Sequence, residues 1–211
     1  MKTAADLPLL YDTPDSWALT VLADPLALLN DHAHLEKKAG TNALDLLNQW
    51  PDPRPPEYWV EKMTAIARDE VEHLAIVTRL LARRGGRLTK FHKNPYANDL
   101  RMHVRRGQGP RDTMDRLMVS ALIEARSCER FELLSRNCDD RELARLYSGL
   151  WTSERGHYLS FLELSRQLLD RDTPKAAAVV EQRWQEWLRI EAKIIAGQPP
   201  GPRMHSGVGE P

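Results

Sequence analysis

The chain has 211 residues, of which 42% are apolar and 28% charged, and its basic and acidic side chains are equal in number. This composition is that of an ordinary globular protein of one domain. Two cysteines without a CxxC spacing exclude a disulfide scaffold and favour a reducing cytoplasm. No apolar run approaches the roughly 18 residues of a membrane span, and the N-terminal stretch lacks the apolar core of a signal peptide. We therefore expect a cytoplasmic protein.

Helix start and stop signals predict an all-α chain. Thr13-Pro14 opens a short N-terminal helix, and Asp24-Pro25 opens a first long helix, because proline is favoured at the first helical position. Similar signals predict three further long helices and a C-terminal helix that ends at Gly197. The long helices run from about Pro56 to Arg84, from Asp112 to about Asn137, and from Asp139 or Asp140 to about Asp170.

The connections between the four long helices are short, then long, then short. The long connection, residues 85–112, shows no sustained periodicity and is called the basic arm below. One long crossover between helices two and three is typical of a ferritin-like four-helix bundle. We expect residues 1–196 to form a single ferritin-like helical domain and residues 197–211 to form a disordered tail.

Two polar residues interrupt an apolar face of the second long helix. At helical spacing Glu70 and His73 fall on the same stripe as Met63, Ile66 and Val77. A buried carboxylate beside a buried imidazole needs a partner, because an isolated buried charge is costly.

The fourth long helix repeats this Glu-x-x-His spacing with Glu154 and His157, again on an apolar stripe. Each pair is preceded, about 30 residues upstream, by one glutamate on an apolar stripe, Glu36 in the first half and Glu124 in the second. Glu129 is a rival to Glu124, but it lies on a charged face of its helix. Four carboxylates and two imidazoles in this arrangement predict a carboxylate-bridged di-iron or di-manganese centre.

The chemistry of such a centre requires these residue types. Two divalent cations carry a charge of +4, which four carboxylates neutralise, and each imidazole adds a neutral ligand. His32, one turn before Glu36, is a candidate hydrogen-bond partner or an extra ligand. Asp31 and Asp69 are candidates to orient a ligand histidine.

The basic arm predicts a nucleic-acid contact. Between Arg83 and Arg111 nine basic residues face one acid, Asp99, and aromatic residues are interspersed. Such a surface suits phosphates and unpaired bases, although a solvated loop is the plainer alternative. The candidate RNA-binding residues are Arg83, Arg84, Arg87, Lys90, Lys93, Arg101, Arg105 and Arg106.

Four segments together resemble one family, MiaE, over about residues 8 to 170. They are DHAHLEKKAGTNALDLL, ARDEVEHLAIVTRLLARRGG, ALIEARSCERFELL and SERGHYLSFLEL. The resemblance implies a di-iron monooxygenase that uses O2 to hydroxylate the isopentenyl group of a methylthiolated adenosine beside the anticodon of tRNA. It also implies iron ligation by Glu36, Glu70, His73, Glu124, Glu154 and His157. An external electron donor such as a ferredoxin or reductase is then required, and the chain is expected to be a monomer or dimer.

Three other functions fit the same ligand set. An iron-storage or ferroxidase protein leaves the basic arm without a role, and a rubrerythrin-like peroxidase usually carries CxxC ligands that this chain lacks. A di-manganese catalase remains open, because manganese and iron accept the same ligands.

Overall fold

The computed structural model describes residues 6–169 and 174–209. In these residues the chain forms seven α-helices and one isolated β-bridge between Pro200 and Gly207. The helices are α1 (Asp15–Leu22), α2 (Pro25–Leu47), α3 (Glu57–Arg83), α4 (Pro95–Met102), α5 (Pro110–Asn137), α6 (Arg141–Gln167) and α7 (Pro174–Ala196). None of the helices in this described part combines the length and the apolarity that a membrane span requires.

Four of these helices form a bundle. Helix α2 packs along α3, α5 packs along α6, and α3 also contacts α6. The links within each pair are short, whereas residues 84–109 connect α3 to α5. A single long crossover between the second and third bundle helices is the ferritin-like arrangement, so the predicted fold class is confirmed.

Two of the predicted helix caps, Asp24 and Asp140, agree with the structure, and a third, Asp112, does not. Asp24 accepts a hydrogen bond from the backbone N of Ala27, and Asp140 caps α6 through the backbone N of Glu142 and Leu143. Asp112 does not cap α5, because that helix begins earlier, at Pro110 after Gly109. The Asp112 carboxylate instead accepts from the backbone N of Gln108 and so fastens the end of the basic arm.

The basic arm is partly helical, which corrects the prediction of an irregular segment. Asn94 accepts a hydrogen bond from the backbone N of Ala97 and thereby starts the two-turn helix α4. Tyr96 and Leu100 are completely buried on its inner face. A helix of two turns is too short to show a hydrophobic period in the sequence.

The prediction of a disordered tail is wrong for residues 198–209. Met204 is completely buried, and its backbone N donates to Asp31 Oδ2 at 2.8 Å. The side chain of Ser206 accepts from Trp17 Nε1 at 3.0 Å, which ties the segment to α1. Glycine and proline disfavour helices and strands in this segment, but they do not prevent it from packing against the bundle.

The apolar core consists of two parts. Ala33 on α2 and Val77 on α3 belong to one part, and Ala43 on α2 and Ala67 on α3 belong to the other. The buried side chains between these positions form part of a polar layer across the bundle, and they include Glu36 on α2 and Glu70 and His73 on α3.

Candidate metal centre

The polar layer contains all six predicted ligand residues. Helix α2 contributes Glu36, and α5 contributes Glu124, while α3 and α6 each contribute one Glu-x-x-His pair. The one-turn spacing within each pair puts both side chains on the inner face of its helix. Every one of the six is buried, with exposed fractions from 1% for Glu70 to 8% for His73.

These six side chains form two overlapping groups whose potential ligand atoms lie within 4.8 Å of one another. The first group combines Glu36 and His73 with Glu70 and Glu154. In the second, Glu124 and His157 replace Glu36 and His73, and the same two glutamates recur. Glu70 and Glu154 are therefore positioned to bridge two cations, and the other four to serve one cation each.

The nitrogen and oxygen atoms of the cluster converge at ion-pair distances. Nδ1 of His73 lies 3.0 Å from Glu154 Oε1, and Nδ1 of His157 lies 2.8 Å from Glu70 Oε1. These approaches lack hydrogen-bond geometry, so all four atoms are buried without a hydrogen-bond partner among the described residues. Buried polar atoms are normally paired, and convergent unpaired donors are what a metal ion requires.

The electrostatics of the cluster fit cations. Burial raises the pKa of Glu70 well above its ordinary value, and the charge of Glu154 raises it further. The same two causes raise the pKa of Glu124.

Burial also raises the pKa of Glu36, but His32 and His73 lower it to about 2. His157 and His73 likewise lower the pKa of Glu154. A carboxylate at this depth is therefore an anion only where positive charge balances it. The donor set thus fits two divalent metals of the iron or manganese type.

Two neighbouring side chains support the cluster. His32 Nε2 lies 2.5 Å from Glu36 Oε1, and its ring stacks on Tyr147 at a centroid distance of 5.6 Å. Asp69 Oδ2 lies 3.4 Å from His157 Nε2, which leaves Nδ1 of that ring directed at the cluster. Asp31 instead contacts His92 at 2.7 Å and supports the basic arm.

The rival Glu129 lies outside the cluster. Its carboxylate accepts from the backbone N and the hydroxyl of Thr13, at 2.9 and 2.8 Å. It also pairs with Arg126, which makes a bidentate contact with Glu191 on α7. Glu129 therefore holds the N-terminal segment and α7 onto the bundle.

A cavity of about 480 Å³ adjoins the cluster. Four of the six cluster residues line it: Glu36, Glu70, Glu124 and Glu154. The other walls come from α2, α4, α5 and the C-terminal segment, including Asn42, Ser120, Phe131, Met204 and His205. The volume lies within the range of sites that enclose small organic groups.

The eight candidate RNA-binding residues fall into three sets. Arg83 and Arg84 form ion pairs with acids at the start of α6, and Arg105 binds the buried Asp115. Arg101 and Arg106 are exposed and line the cavity. The remaining three, Arg87, Lys90 and Lys93, are exposed elsewhere on the basic arm.

Two further cations at the cavity were not among the predicted residues. Lys38 on α2 and Arg116 on α5 both line it. Lys38 stands in the sequence LEKKAG, two residues after Glu36, and Arg116 stands eight residues before Glu124. The only local signal in the sequence was that each lies near a predicted ligand. That signal does not single out a cavity residue, because lysine and arginine are common on the outer faces of helices.

The family model described as tRNA-(MS2IO6A)-hydroxylase (MiaE) matches residues 3–206. The chain belongs to the MiaE family. A MiaE relative from Pseudomonas putida (strain KT2440), named tRNA 2-(methylsulfanyl)-N(6)-isopentenyladenosine(37) hydroxylase, is 36% identical over 93% of this chain and 90% of its own length. One with the same name from Salmonella typhimurium (strain LT2) is 30% identical over 71% of this chain, which spans 52% of that relative.

A solved structure also resembles this member of the MiaE family. It is titled protein 43 with aldehyde deformylating oxygenase activity, from Synechococcus, and it superposes with a TM-score of 0.84 at 32% identity. The likeness covers 95% of this chain and 96% of the other.

Proposed function

We propose that this protein is a non-haem di-iron monooxygenase that hydroxylates the isopentenyl group of the methylthiolated, isopentenylated adenosine beside the anticodon of tRNA, in the cytoplasm. Membership of the MiaE family over nearly the whole chain supports this function. The single observation that carries it is the cavity, because it brings a substrate-sized space against four carboxylates of the candidate metal centre.

The two overlapping groups suggest how two irons would be held. Glu36 and His73 would bind one iron, Glu124 and His157 the other, and Glu70 and Glu154 would bridge them. Asp69 would orient His157, and His32 would orient the Glu36 carboxylate. Such outer contacts fix the direction of a ligand and its basicity.

Bound in this way, two irons supply the oxygen-activating, two-electron chemistry that no side chain provides. In the balanced reaction one oxygen atom of O2 is inserted into a C–H bond, and the other leaves as water with two electrons and two protons. The chain carries no flavin or nicotinamide fingerprint. The electrons must therefore come from an external donor such as a ferredoxin with its reductase.

The cavity also indicates the kind of nucleotide that is accepted. An adenine in a duplex cannot reach carboxylates buried inside a helical bundle, so the base must leave its stack. Nucleotides of an anticodon loop are unpaired, which lowers the cost of that step. The protein side chains bind the displaced base and exclude water from the oxidised group.

Oxygen-dependent cleavage of an aldehyde is a second candidate, favoured by the structural likeness to the Synechococcus protein. An aldehyde is uncharged and needs no cationic partner. The cavity here is bordered by Lys38, Arg101, Arg106 and Arg116. These charges suit a polyanionic substrate better than an aldehyde.

The function is tested with protein purified from iron-replete cells and tRNA that carries the isopentenylated base. Two irons per chain, a coupled diferric Mössbauer spectrum, and one labelled oxygen from ¹⁸O2 in the nucleoside are expected. Glu70→Ala and His157→Ala should abolish the product and keep the helical circular dichroism. Two manganese ions per chain, absence of metal after anaerobic ferrous loading, or turnover of an aldehyde in place of tRNA would each contradict the proposal.

A further inference from the structure

The cavity connects two chemically different surfaces. At its buried end lie carboxylates of the candidate metal centre, and at its exposed end lie four cations, Lys38, Arg101, Arg106 and Arg116, called the rim below. On α5, Arg116 precedes Glu124 by eight residues, so the two ends are about 12 Å apart along the helix axis at 1.5 Å per residue. One acid outside the metal centre, Asp45, also lines the cavity.

The rim cations are only weakly compensated by the protein: Lys38 is linked to Asp31 through His92, and the others have no carboxylate partner among the described residues. Within the described residues, none of the four forms an ion pair with a carboxylate; Lys38 contacts His92 Nδ1 at 2.8 Å, and Arg116 contacts the amide oxygen of Gln49 at 3.4 Å. Arg101 and Arg106 are exposed. Four cations at the mouth of one cavity repel one another, and an anionic ligand relieves that repulsion.

Three other arginines of the arm region are already used in the fold. Arg84 makes two contacts with Asp140, at 2.6 and 3.1 Å, and one with Glu142 at 2.8 Å. Arg83 pairs with the same Glu142. Arg105 donates to both oxygens of Asp115, which is completely buried. A phosphate would have to compete with these carboxylates, weakly at the exposed Arg83 and strongly at Arg105, whose partner is buried.

We propose that the rim binds the phosphodiester backbone on either side of the nucleotide whose base occupies the cavity, and that Arg83, Arg84 and Arg105 take no part in RNA binding. This inference rests on the proposed function, because it needs an RNA substrate whose base enters the cavity. A base inside the cavity keeps its own phosphates at the mouth, where Arg and Lys supply most of the affinity of nucleic-acid complexes. Lys38 and Arg116 come from two bundle helices, so the rim is built on the rigid bundle as well as on the arm.

The test compares two pairs of substitutions by the Kd for tRNA across a series of KCl concentrations. The rim variant is Arg106→Ala with Arg116→Ala, and the comparison variant is Arg87→Ala with Lys90→Ala. All four side chains are exposed, and none forms an ion pair within the described residues, but only the first two line the cavity. Iron content and circular dichroism confirm that each variant is folded.

The rim variant is expected to bind tRNA at least tenfold more weakly. The negative slope of log K against log salt should become shallower by about 0.7 for each phosphate that is no longer neutralised. The comparison variant should change Kd less than twofold. Equal weakening in the two variants, or wild-type binding by the rim variant, would overturn the proposal. Arg101→Gln with Arg116→Gln provides a second rim variant with the same expectation, because both side chains are exposed and line the cavity.

This binding test is separate from the proposed function. If the wild-type protein binds tRNA through the rim but does not hydroxylate the isopentenyl group, the reaction is wrong and the rim assignment stands. If it hydroxylates tRNA and the rim variants keep wild-type affinity and salt dependence, the reaction stands and the rim assignment fails.

Discussion

Asp115 is a buried carboxylate on α5 that binds Arg105, one of the candidate RNA-binding residues. It accepts from the backbone N and the guanidinium of Arg105, from Arg183 on α7 and from Trp187 Nε1. Burial opposes its ionisation, but the hydrogen bonds from Arg183 and Arg105 lower its pKa to about 2. Arg105 therefore joins the basic arm to α5 and α7 and is a structural residue.

We expect Arg105→Ala to destabilise the protein by about 2 kcal/mol, because a buried charge is deprived of a hydrogen-bonded partner. Arg106→Ala, at the next position and exposed, should change the free energy of unfolding by less than about 0.5 kcal/mol. Urea unfolding followed by circular dichroism measures both values. Equal stability of the two variants would contradict the structural role of Arg105.

The two classes of ligand glutamate predict two different losses of metal. Glu70 belongs to both groups of potential ligands, whereas Glu36 belongs to one. Glu70→Ala should therefore remove both irons, and Glu36→Ala should leave a site that still holds one. Iron analysis after anaerobic ferrous loading and desalting measures the ratio per chain. Loss of both irons from each variant would show that the centre binds its metals only as a pair.

At the residue scale the six candidate ligands could be predicted from the sequence, whereas the rim could not. A glutamate or histidine on an apolar stripe is conspicuous, because burial of an unpaired polar group is costly. Lys38 and Arg116 lie on helix faces where charge is ordinary. Their relation to the cavity depends on how α2 and α5 meet, and no local pattern reports that arrangement.

Between elements, the approach of α2 to α3 depends on the glycine one turn after Glu36. A Cβ placed on Gly40 would lie 3.4 Å from Glu70 Cβ and 3.6 Å from the carbonyl oxygen of Ala67, which is ordinary contact. A larger side chain would meet α3 beside the metal centre. The position tolerates one methyl group and no more.

Gly40→Ala is expected to keep two irons and to raise stability by up to about 1 kcal/mol, since glycine disfavours a helix interior. Gly40→Leu should separate α2 from α3 and lower the iron content below one per chain. Thermal unfolding and iron analysis of both variants provide the measurement. Full iron content in Gly40→Leu would mean that the two helices can shift apart without disturbing Glu36 and Glu70.

The C-terminal segment shows why helices were easier to predict than the chain that follows them. Capping residues and stripes act within a few residues, so the bundle helices could be placed from local signals. The packing of residues 198–209 depends on Trp17 and Asp31, more than 170 positions away. Its glycines and prolines carry no periodic pattern that reports such a contact.

Removal of residues 198–211 should enlarge the cavity, because Met204 and His205 line its wall. We expect a lower melting temperature and a rate of tRNA hydroxylation reduced at least tenfold, while the iron content remains that of the full chain. Water can then enter beside the oxidised group. Unchanged activity would show that this segment neither shapes the cavity nor excludes water.

In the whole molecule the polar layer separates the two parts of the apolar core, and we expect bound metals to balance its negative charge. Without cations, four buried carboxylates lie between two apolar parts, and among the described residues one oxygen atom each of Glu70 and Glu154 lacks a hydrogen-bond partner. A ligand that binds only the folded state stabilises it by about 2.7 kcal/mol at a concentration of 100 times its Kd. The metal should therefore contribute to folding as well as to chemistry.

Removal of the metal is accordingly expected to lower the melting temperature by several degrees, and anaerobic ferrous iron should restore it. Scanning calorimetry of chelator-treated and reloaded protein measures the difference. Glu70→Gln with Glu154→Gln replaces both bridging carboxylates with neutral amides of similar size, so its melting temperature should not respond to iron. An equal response in this variant would place the stabilising metal elsewhere. No response in the wild-type protein would mean that the contacts between the histidines and the glutamates already stabilise the cluster without cations.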